Sequence, residues 1–220
     1  MLEVAETFIS INGEGTHSGQ LAYFVRFCGC NLNCSYCDTM WANKPNVPCR
    51  HLTAEEIYSQ ILESGIKNVT ITGGEPLYRK GIYELLYMLS NNPVIYTEVE
   101  TNGSIFLQPY MNLINRPAFT MDYKLPSSGM EGAMCVDNLM MLEKKDTVKF
   151  VAGSIGDLER AKEIIDKHCL CKRCNVYISP VFGKIEPADI VEYMKNNKMN
   201  NVTLQLQIHK YIWDPNAKGV

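Results

Sequence analysis

Cys30, Cys34 and Cys37 stand in Gly29-Cys30-Asn31-Leu32-Asn33-Cys34-Ser35-Tyr36-Cys37-Asp38-Thr39, a C-x3-C-x2-C spacing. Three thiolates this close can bind three irons of a 4Fe–4S cube and leave the fourth without a protein ligand. Such an iron can chelate a small molecule and pass an electron into it. The plainer chemistry is half of a zinc site, which needs a further ligand from elsewhere. Cys28, Cys49 and the later cysteines are candidates for that ligand. A second group, Cys169, Cys171 and Cys174, could bind zinc or an auxiliary cluster with Cys49 or Cys135. The bland alternative is a set of small apolar side chains.

The chain that carries these residues has 220 residues, 46% of them hydrophobic and 20% charged, enough for a single domain over 1–220 with a sizeable core. A net charge of −3 gives no electrostatic case for nucleic acid or an acidic membrane as main partner. No apolar run approaches the ~20 residues of a membrane span. The acidic N-terminus lacks the basic start of a signal peptide. A cytoplasmic location is expected, and with it nine cysteines that are mostly reduced thiols or metal ligands rather than a disulfide framework.

Strand-like and helix-like stretches alternate. Strands are expected at 22–27, 69–72, 94–99, 118–121, 147–151, 176–179 and 202–206. Thr53-Ala54-Glu55-Glu56 is a capping box that opens a helix ending at Gly65. Further helices carry Leu85, Leu86 and Leu89; residues 107–114; Leu158, Ala161, Ile164 and Ile165; and residues 188–195. Residues 124–145, rich in Gly, Ser and Met, read as a lid or a long loop. The alternation predicts an α/β fold: an abbreviated, open (β/α) partial barrel with helices packed outside.

In such folds chemistry gathers at the C-terminal ends of the strands. The cysteine loop follows the first strand and Thr72-Gly73-Gly74-Glu75-Pro76 the second. Glu98-Val99-Glu100-Thr101-Asn102-Gly103, Asp122-Tyr123-Lys124, Ser179-Pro180 and residues 205–210 fall at later strand ends. Together they form a ring around one pocket. The glycine pair permits close backbone approach, and its carbonyls with Glu75 suit an ammonium group.

The cysteine spacing and the glycine loop resemble the radical S-adenosylmethionine superfamily, in the partial-barrel fold of that type. More specifically, nearly the whole chain resembles the 7-carboxy-7-deazaguanine synthases. The resemblance rests on Ile11-Asn12-Gly13-Glu14-Gly15, Phe24-Val25-Arg26-Phe27, Gly29-Cys30-Asn31-Leu32, Tyr36-Cys37-Asp38-Thr39, Thr72-Gly73-Gly74-Glu75-Pro76-Leu77, Glu100-Thr101-Asn102-Gly103 and His209-Lys210. Asn12 stands where many members have Gln, and Asp122-Tyr123-Lys124 where many have Ser-Pro-Lys.

The resemblance implies a lyase of 7-deazapurine (queuosine) biosynthesis that converts 6-carboxy-5,6,7,8-tetrahydropterin to 7-carboxy-7-deazaguanine with loss of ammonia. An electron cleaves S-adenosylmethionine to a 5′-deoxyadenosyl radical, which takes the C6 hydrogen before the ring contracts. It implies a 4Fe–4S cluster on Cys30, Cys34 and Cys37, and S-adenosylmethionine held along Tyr36, Cys37 and Asp38. Gly73, Gly74 and Glu75 hold that cofactor's methionine end, and Asp122, Tyr123, Lys124 and Ser179 complete its contacts. Thr39 matches a hydroxyl ligand of Mg2+. Ile11, Asn12, Gly13, Glu14, Arg26, Thr72, Glu100 and His209 are the implied substrate contacts, with Arg26 on the carboxylate. A homodimer and a flavodoxin- or ferredoxin-type electron donor are also implied. Two other functions use parts of this pattern. A small glycyl-radical-enzyme activase has the same cysteine spacing but acts on a protein and has no need of Thr39. A zinc protein has no use for the glycine loop.

Overall fold

The computed structural model describes residues 1–44, 46–214 and 217–220. Its nine strands are β1 (Leu2–Ile11), β2 (Leu21–Phe27), β3 (Arg50–Leu52), β4 (Asn68–Gly73), β5 (Tyr96–Thr101), β6 (Ala118–Tyr123), β7 (Thr147–Ala152), β8 (Asn175–Pro180) and β9 (Thr203–Leu204). The α-helices are α1 (Ala54–Ser64), α2 (Ile82–Ser90), α3 (Gln108–Met111), α4 (Asn138–Met141), α5 (Ile155–His168), α6 (Leu170–Arg173), α7 (Pro187–Asn196) and α8 (His209–Ile212).

One sheet runs in the order β3-β1-β2-β4-β5-β6-β7-β8-β9. From β2 to β9 every pair is parallel, while β1 pairs antiparallel with β2 and β3. The sheet is therefore the open parallel array expected, widened by two strands. β1 and β3 join through antiparallel pairing and so escape the alternating pattern. The third expected strand moves to Tyr96–Thr101, and the helix expected at 107–114 contracts to the single turn of α3. The last strand shortens to two residues.

Local chemistry sets several boundaries. Thr53 caps α1: its hydroxyl accepts from Glu56 N at 3.2 Å, and the Glu56 carboxylate accepts from Thr53 N at 2.8 Å. Gly65 ends the helix at φ 69°. Ile57 and Ile61 are buried, whereas Leu62, expected in the same stripe, is exposed.

The two faces of the parallel strands differ in kind. Val69, Ile71, Val99, Phe119, Met121, Val148, Phe150, Val176 and Ile178 form the core with the helices. The alternate residues Thr70, Thr72, Glu98, Glu100, Thr120, Asp122 and Lys149 face the barrel interior, as the two-residue period of a strand requires. An alternating pattern usually marks one face as solvent-exposed. Here the polar face is enclosed, and polar groups enclosed at this density must be paired with each other or serve a ligand.

Residues 124–145 do not form a lid. Leu125, Ser128, Leu139 and Leu142 are buried. Asn138 donates to the carbonyls of Gly103 and Ile105 and accepts from Leu107 N. Ser127 and Ser128 accept hydrogen bonds from Ser35, so this segment buttresses the cysteine loop.

Cys28 and Cys49 are disulfide-bonded, with Cα atoms 6.7 Å apart. This corrects the reading of Cys28 and Cys49 as candidate zinc ligands, and it sets them apart from the expected majority of reduced or metal-bound cysteines. The cause is topological. Cys28 follows β2 and Cys49 precedes β3, and β1 lies between those strands and pairs with both.

Candidate active site

The interior face and the loops above it enclose a cavity of about 630 Å3. Cys30, Cys34 and Cys37 line it together with Tyr36, Asp38, Thr39, Gly73 and Gly74. Ile11, Gly13, Glu14, Arg26, Thr72, Glu100, Asp122, Lys124 and His209 line the same space. Most of the residues expected at a site, from segments spread over 200 positions, thus meet around one cavity.

Cys30 Sγ accepts from Leu32 N and from Asn102 Nδ2, each at 3.4 Å, and Asn43 Nδ2 approaches Cys37 Sγ at 3.9 Å. Donors aimed at sulfur suit thiolates bound to metal. Burial pushes the Cys34 and Cys37 thiols up, while the nearby Lys124 ammonium works in the opposite direction. Metal binding must therefore displace protons there. Among the described residues, no three His, Cys, Asp or Glu side chains stand close enough to hold a single metal ion. The three thiols are thus not gathered around one shared ion. The donor set fits an iron–sulfur cluster with separate irons.

The glycine loop is built for contact with the cysteine loop. Gly74 N donates to Phe27 O at 3.1 Å and Glu75 N to Gly29 O at 3.0 Å. A Cβ on Gly74 would lie 2.0 Å from Gly29 O. Glu75 does not line the cavity, contrary to its expected role on the cofactor. It is fully buried and accepts from Leu77 N, Thr101 Oγ1 and Asn102 N at 3.0, 2.9 and 2.7 Å. Burial pushes its carboxyl up to about 7 against these bonds. Because Asn102 then donates to Cys30 Sγ, Glu75 ties the loops after β2, β4 and β5 together.

Three other expected contacts also lie off the cavity wall. Tyr123 points to the helix side, where its ring meets Phe150 with centroids 5.7 Å apart, because strand alternation separates it from Asp122 and Lys124. Asn12 is buried beside the cavity and accepts from Thr70 Oγ1 at 2.8 Å. Ser179 is fully buried, with its hydroxyl unpartnered among the described residues, and Pro180, Val181 and Phe182 form the wall above it.

Residues 12–20 close the floor of the open barrel. Asn12 reaches β4, the His17 ring stacks on Tyr96 of β5 at 4.0 Å, and Glu14 pairs with Lys149 of β7. Gly15 N donates to Gln205 Oε1 and Gln205 Nε2 to Gly15 O, both at 2.9 Å. A Cβ on Gly13 would lie 2.0 Å from His209 Nδ1, so only glycine lets the imidazole pack there. Burial holds that imidazole below its usual value, with Glu14 opposing.

Lys149 is the main functional candidate missed in the sequence. It is buried, pairs with Glu14, and lies 3.9 Å from Asp122, which itself pairs with Lys124 at 2.8 Å. Burial opposes the Lys149 charge, but Glu14, Asp122 and Glu100 outweigh it, so its ammonium is held above the usual range. A lone lysine in the apolar run Thr147-Val148-Lys149-Phe150-Val151 was the available signal.

On the opposite wall Arg26 Nε donates to Glu6 at 2.8 Å and its guanidinium lies 5.7 Å from the Phe8 ring centroid. Phe8 stacks on Phe24, with centroids 4.8 Å apart, and both line the cavity. Thr39 Oγ1 donates to Asp38 Oδ1 at 3.0 Å, and Lys210 pairs with Asp38 Oδ2 at 3.2 Å. Thr72 Oγ1 donates to Glu100 Oε2 at 2.6 Å.

The second cysteine group lies away from this cavity. Cys174 is buried in the core, and burial pushes its thiol up to about 11, which favours the small-hydrophobe reading over a ligand.

Glu98, hydrogen-bonded by Thr120, supplies a test of the interior electrostatics. Burial first, then Glu100, pushes its carboxyl up to about 7. The folded protein therefore holds this proton over a pH range where the unfolded chain has released it. The stability is fully present below the unfolded value and is lost as pH rises through about 7. Glu98→Gln is expected to melt higher than the parent at pH 8, with the advantage shrinking toward pH 4.5. Thermal melts across that range check it, and a constant difference at all pH values would refute the assignment.

Residues 24–119 match the Radical SAM superfamily model, and an open parallel sheet with three thiols at one mouth fits that class of enzyme. The chain is 56% identical to the 7-carboxy-7-deazaguanine synthase of Clostridium acetobutylicum, over 99% of both chains. It is 36% identical to that of Chlorobaculum tepidum, over 100% of this chain and 97% of the relative. It therefore belongs to the 7-carboxy-7-deazaguanine synthase family. The fold is also that of QueE from Escherichia coli, with a TM-score of 0.73 and 21% identity over 93% of each chain. No helix among the described residues is long and apolar enough to cross a membrane.

Proposed function

We propose that this chain is a carbon–nitrogen lyase that converts 6-carboxy-5,6,7,8-tetrahydropterin to 7-carboxy-7-deazaguanine with release of ammonia. The observation that carries the reading is the shared cavity. Arg26 lines one wall, Glu14 the floor and the three thiols the mouth. That arrangement fits a substrate with a carboxylate at one end and N–H donors at the other.

Cys30, Cys34 and Cys37 would hold the cluster, and Tyr36, Asp38 and Gly74, which line the same cavity, would hold S-adenosylmethionine. When bound, the cluster and cofactor supply the radical that removes a hydrogen atom from the substrate. Arg26 is held in place by Glu6 and Phe8 and receives the substrate carboxylate, to which a planar guanidinium is matched. Phe8 and Phe24 give an apolar wall for the ring. Glu14 accepts from the aminopyrimidine edge, and Glu100 with Thr72 offers a further polar contact. Thr39 would offer its hydroxyl oxygen to Mg2+, a hard ion that prefers oxygen ligands. A homodimer, a flavodoxin- or ferredoxin-type donor and a cytoplasmic setting complete the proposal.

The test is an anaerobic assay of the iron- and sulfide-reconstituted protein with S-adenosylmethionine, dithionite, Mg2+ and 6-carboxytetrahydropterin. Mass spectrometry is expected to find 7-carboxy-7-deazaguanine. Formation of 5′-deoxyadenosine without that product would move the substrate assignment elsewhere, the glycyl-radical activase included. Omitting Mg2+ is expected to slow turnover, and an unchanged rate would remove Thr39 from a metal role.

A further inference from the structure

We propose that Lys149 is a positioning residue that fixes the Glu14 carboxylate against the nitrogen-bearing edge of the substrate; the role rests on the pterin reading above. The backbone on each side of Glu14 is already anchored. Ile208 N donates to Gly13 O at 3.2 Å, and the Gln205 amide makes a two-bond pair with Gly15. What remains free is the direction of the Glu14 side chain, and the Lys149 ammonium decides it by binding Oε2. The other oxygen, Oε1, is buried and unpartnered among the described residues, on a residue that lines the cavity. A buried carboxylate oxygen without a partner costs free energy unless a ligand donor meets it.

Lys149 is itself held from two sides. It stands opposite Asp122 in the β6–β7 register, with its Nζ 3.9 Å from Asp122 Oδ2. Asp122 Oδ1 is likewise buried and unpartnered among the described residues. Removing the ammonium would leave Glu14 Oε2, like Oε1, without a partner among the described residues, and the side chain free to turn. Lys149 thus aims the acceptor Oε1 of Glu14 at the cavity, as an amidine-like N–H edge requires. Arg26, on the far wall, handles the opposite end of the same molecule.

Lys149→Gln is expected to raise KM for 6-carboxytetrahydropterin at least about tenfold, with a smaller change in kcat, the pattern of a lost binding contact of charge-assisted strength. Glu14→Gln is expected to match it. The double variant E14Q/K149Q, which leaves no uncompensated charge of this pair, is expected to be no worse than either single variant. Lys149→Arg is expected to restore KM to within about threefold, because it keeps the charge and donors. 5′-Deoxyadenosine formed without pterin is measured in each variant, to separate a loss at the mouth from a loss of pterin binding. An unchanged KM in K149Q, or additive losses in the folded double variant, would overturn the proposal. If K149Q fails to fold, the double variant and K149R decide it by the same two criteria. A parent enzyme that cleaves cofactor but does not turn over the pterin would overturn the underlying reading, and this proposal with it.

Discussion

Cys34→Ala is expected to lose bound iron and, with it, all cleavage of S-adenosylmethionine. The fall should be on the order of a thousandfold or more, the scale seen when a group essential to the chemical step is removed. The loop has three thiols at the cavity, and two cannot hold three irons. Among the described residues that line the cavity, no fourth cysteine stands by to replace it. Cys28 is bonded to Cys49, and Cys174 lies in the core on the helix side of the sheet. The loop itself should survive, because Ser35 N still donates to Ser128 O at 3.1 Å and Ser35 Oγ to Ser127 O at 2.6 Å. The variant should therefore fold, remain colourless after reconstitution and yield no 5′-deoxyadenosine. Cys171→Ser, made in parallel, should keep both iron and cleavage. Iron analysis, absorbance and chromatography of the cleavage product measure all three quantities. A Cys34→Ala protein that retains its iron and cleaves the cofactor would refute the ligand assignment.

The second large effect is expected at Gly74. In Gly74→Ala the new Cβ would stand 2.0 Å from Gly29 O, 2.3 Å from Gly29 C and 2.4 Å from Asn43 Oδ1. Two of these atoms are backbone, so no rotamer change relieves them. The loops after β2 and β4 must move apart. That strains or breaks Gly74 N to Phe27 O and Glu75 N to Gly29 O, each worth about 1 kcal/mol. With overpacking of about 1–3 kcal/mol, the total is roughly 3–5 kcal/mol. A shift of ~6–20 °C in melting temperature follows for a chain of this size. The displacement falls on the cysteine loop, since Asn43 also approaches Cys37 Sγ. A misplacement near 1 Å can cost about a hundredfold in rate, so cofactor cleavage should fall by at least that much. Gly132→Ala is the matched control, because a Cβ there meets nothing within 4 Å. If Gly74→Ala melts with the parent and cleaves cofactor within twofold of it, the close loop contact does not govern the site.

These experiments separate features of different origin. The C-x3-C-x2-C spacing, the Thr53 capping box and the Gly65 stop are each set by groups within a few residues of one another in the chain. Connectivity alone brings such groups together, so the sequence was enough to read them, and the run of seven parallel strands followed from the same local patterns. Which face of each strand would be enclosed was not readable. The alternation Thr120, Asp122, Lys124 against Phe119, Met121, Tyr123 looks like a solvent-facing strand until the barrel closes around its polar side. That closure puts Asp122 and Lys149 in the cavity and leaves Tyr123 on the helix side. Glu75 looked like a ligand because of its position in the motif, and only its three donors show it to be an anchor between loops. The most distant pairings were the least legible. Glu14 meets Lys149 across 135 positions and Gly15 meets Gln205 across 190. Cys28 finds Cys49 only because β1 lies between β2 and β3. Local spacing thus determined which reactive groups the chain carries. The sheet order and the loop that closes its floor decided which of them face one another, because contacts between distant residues exist only once the whole sheet has formed.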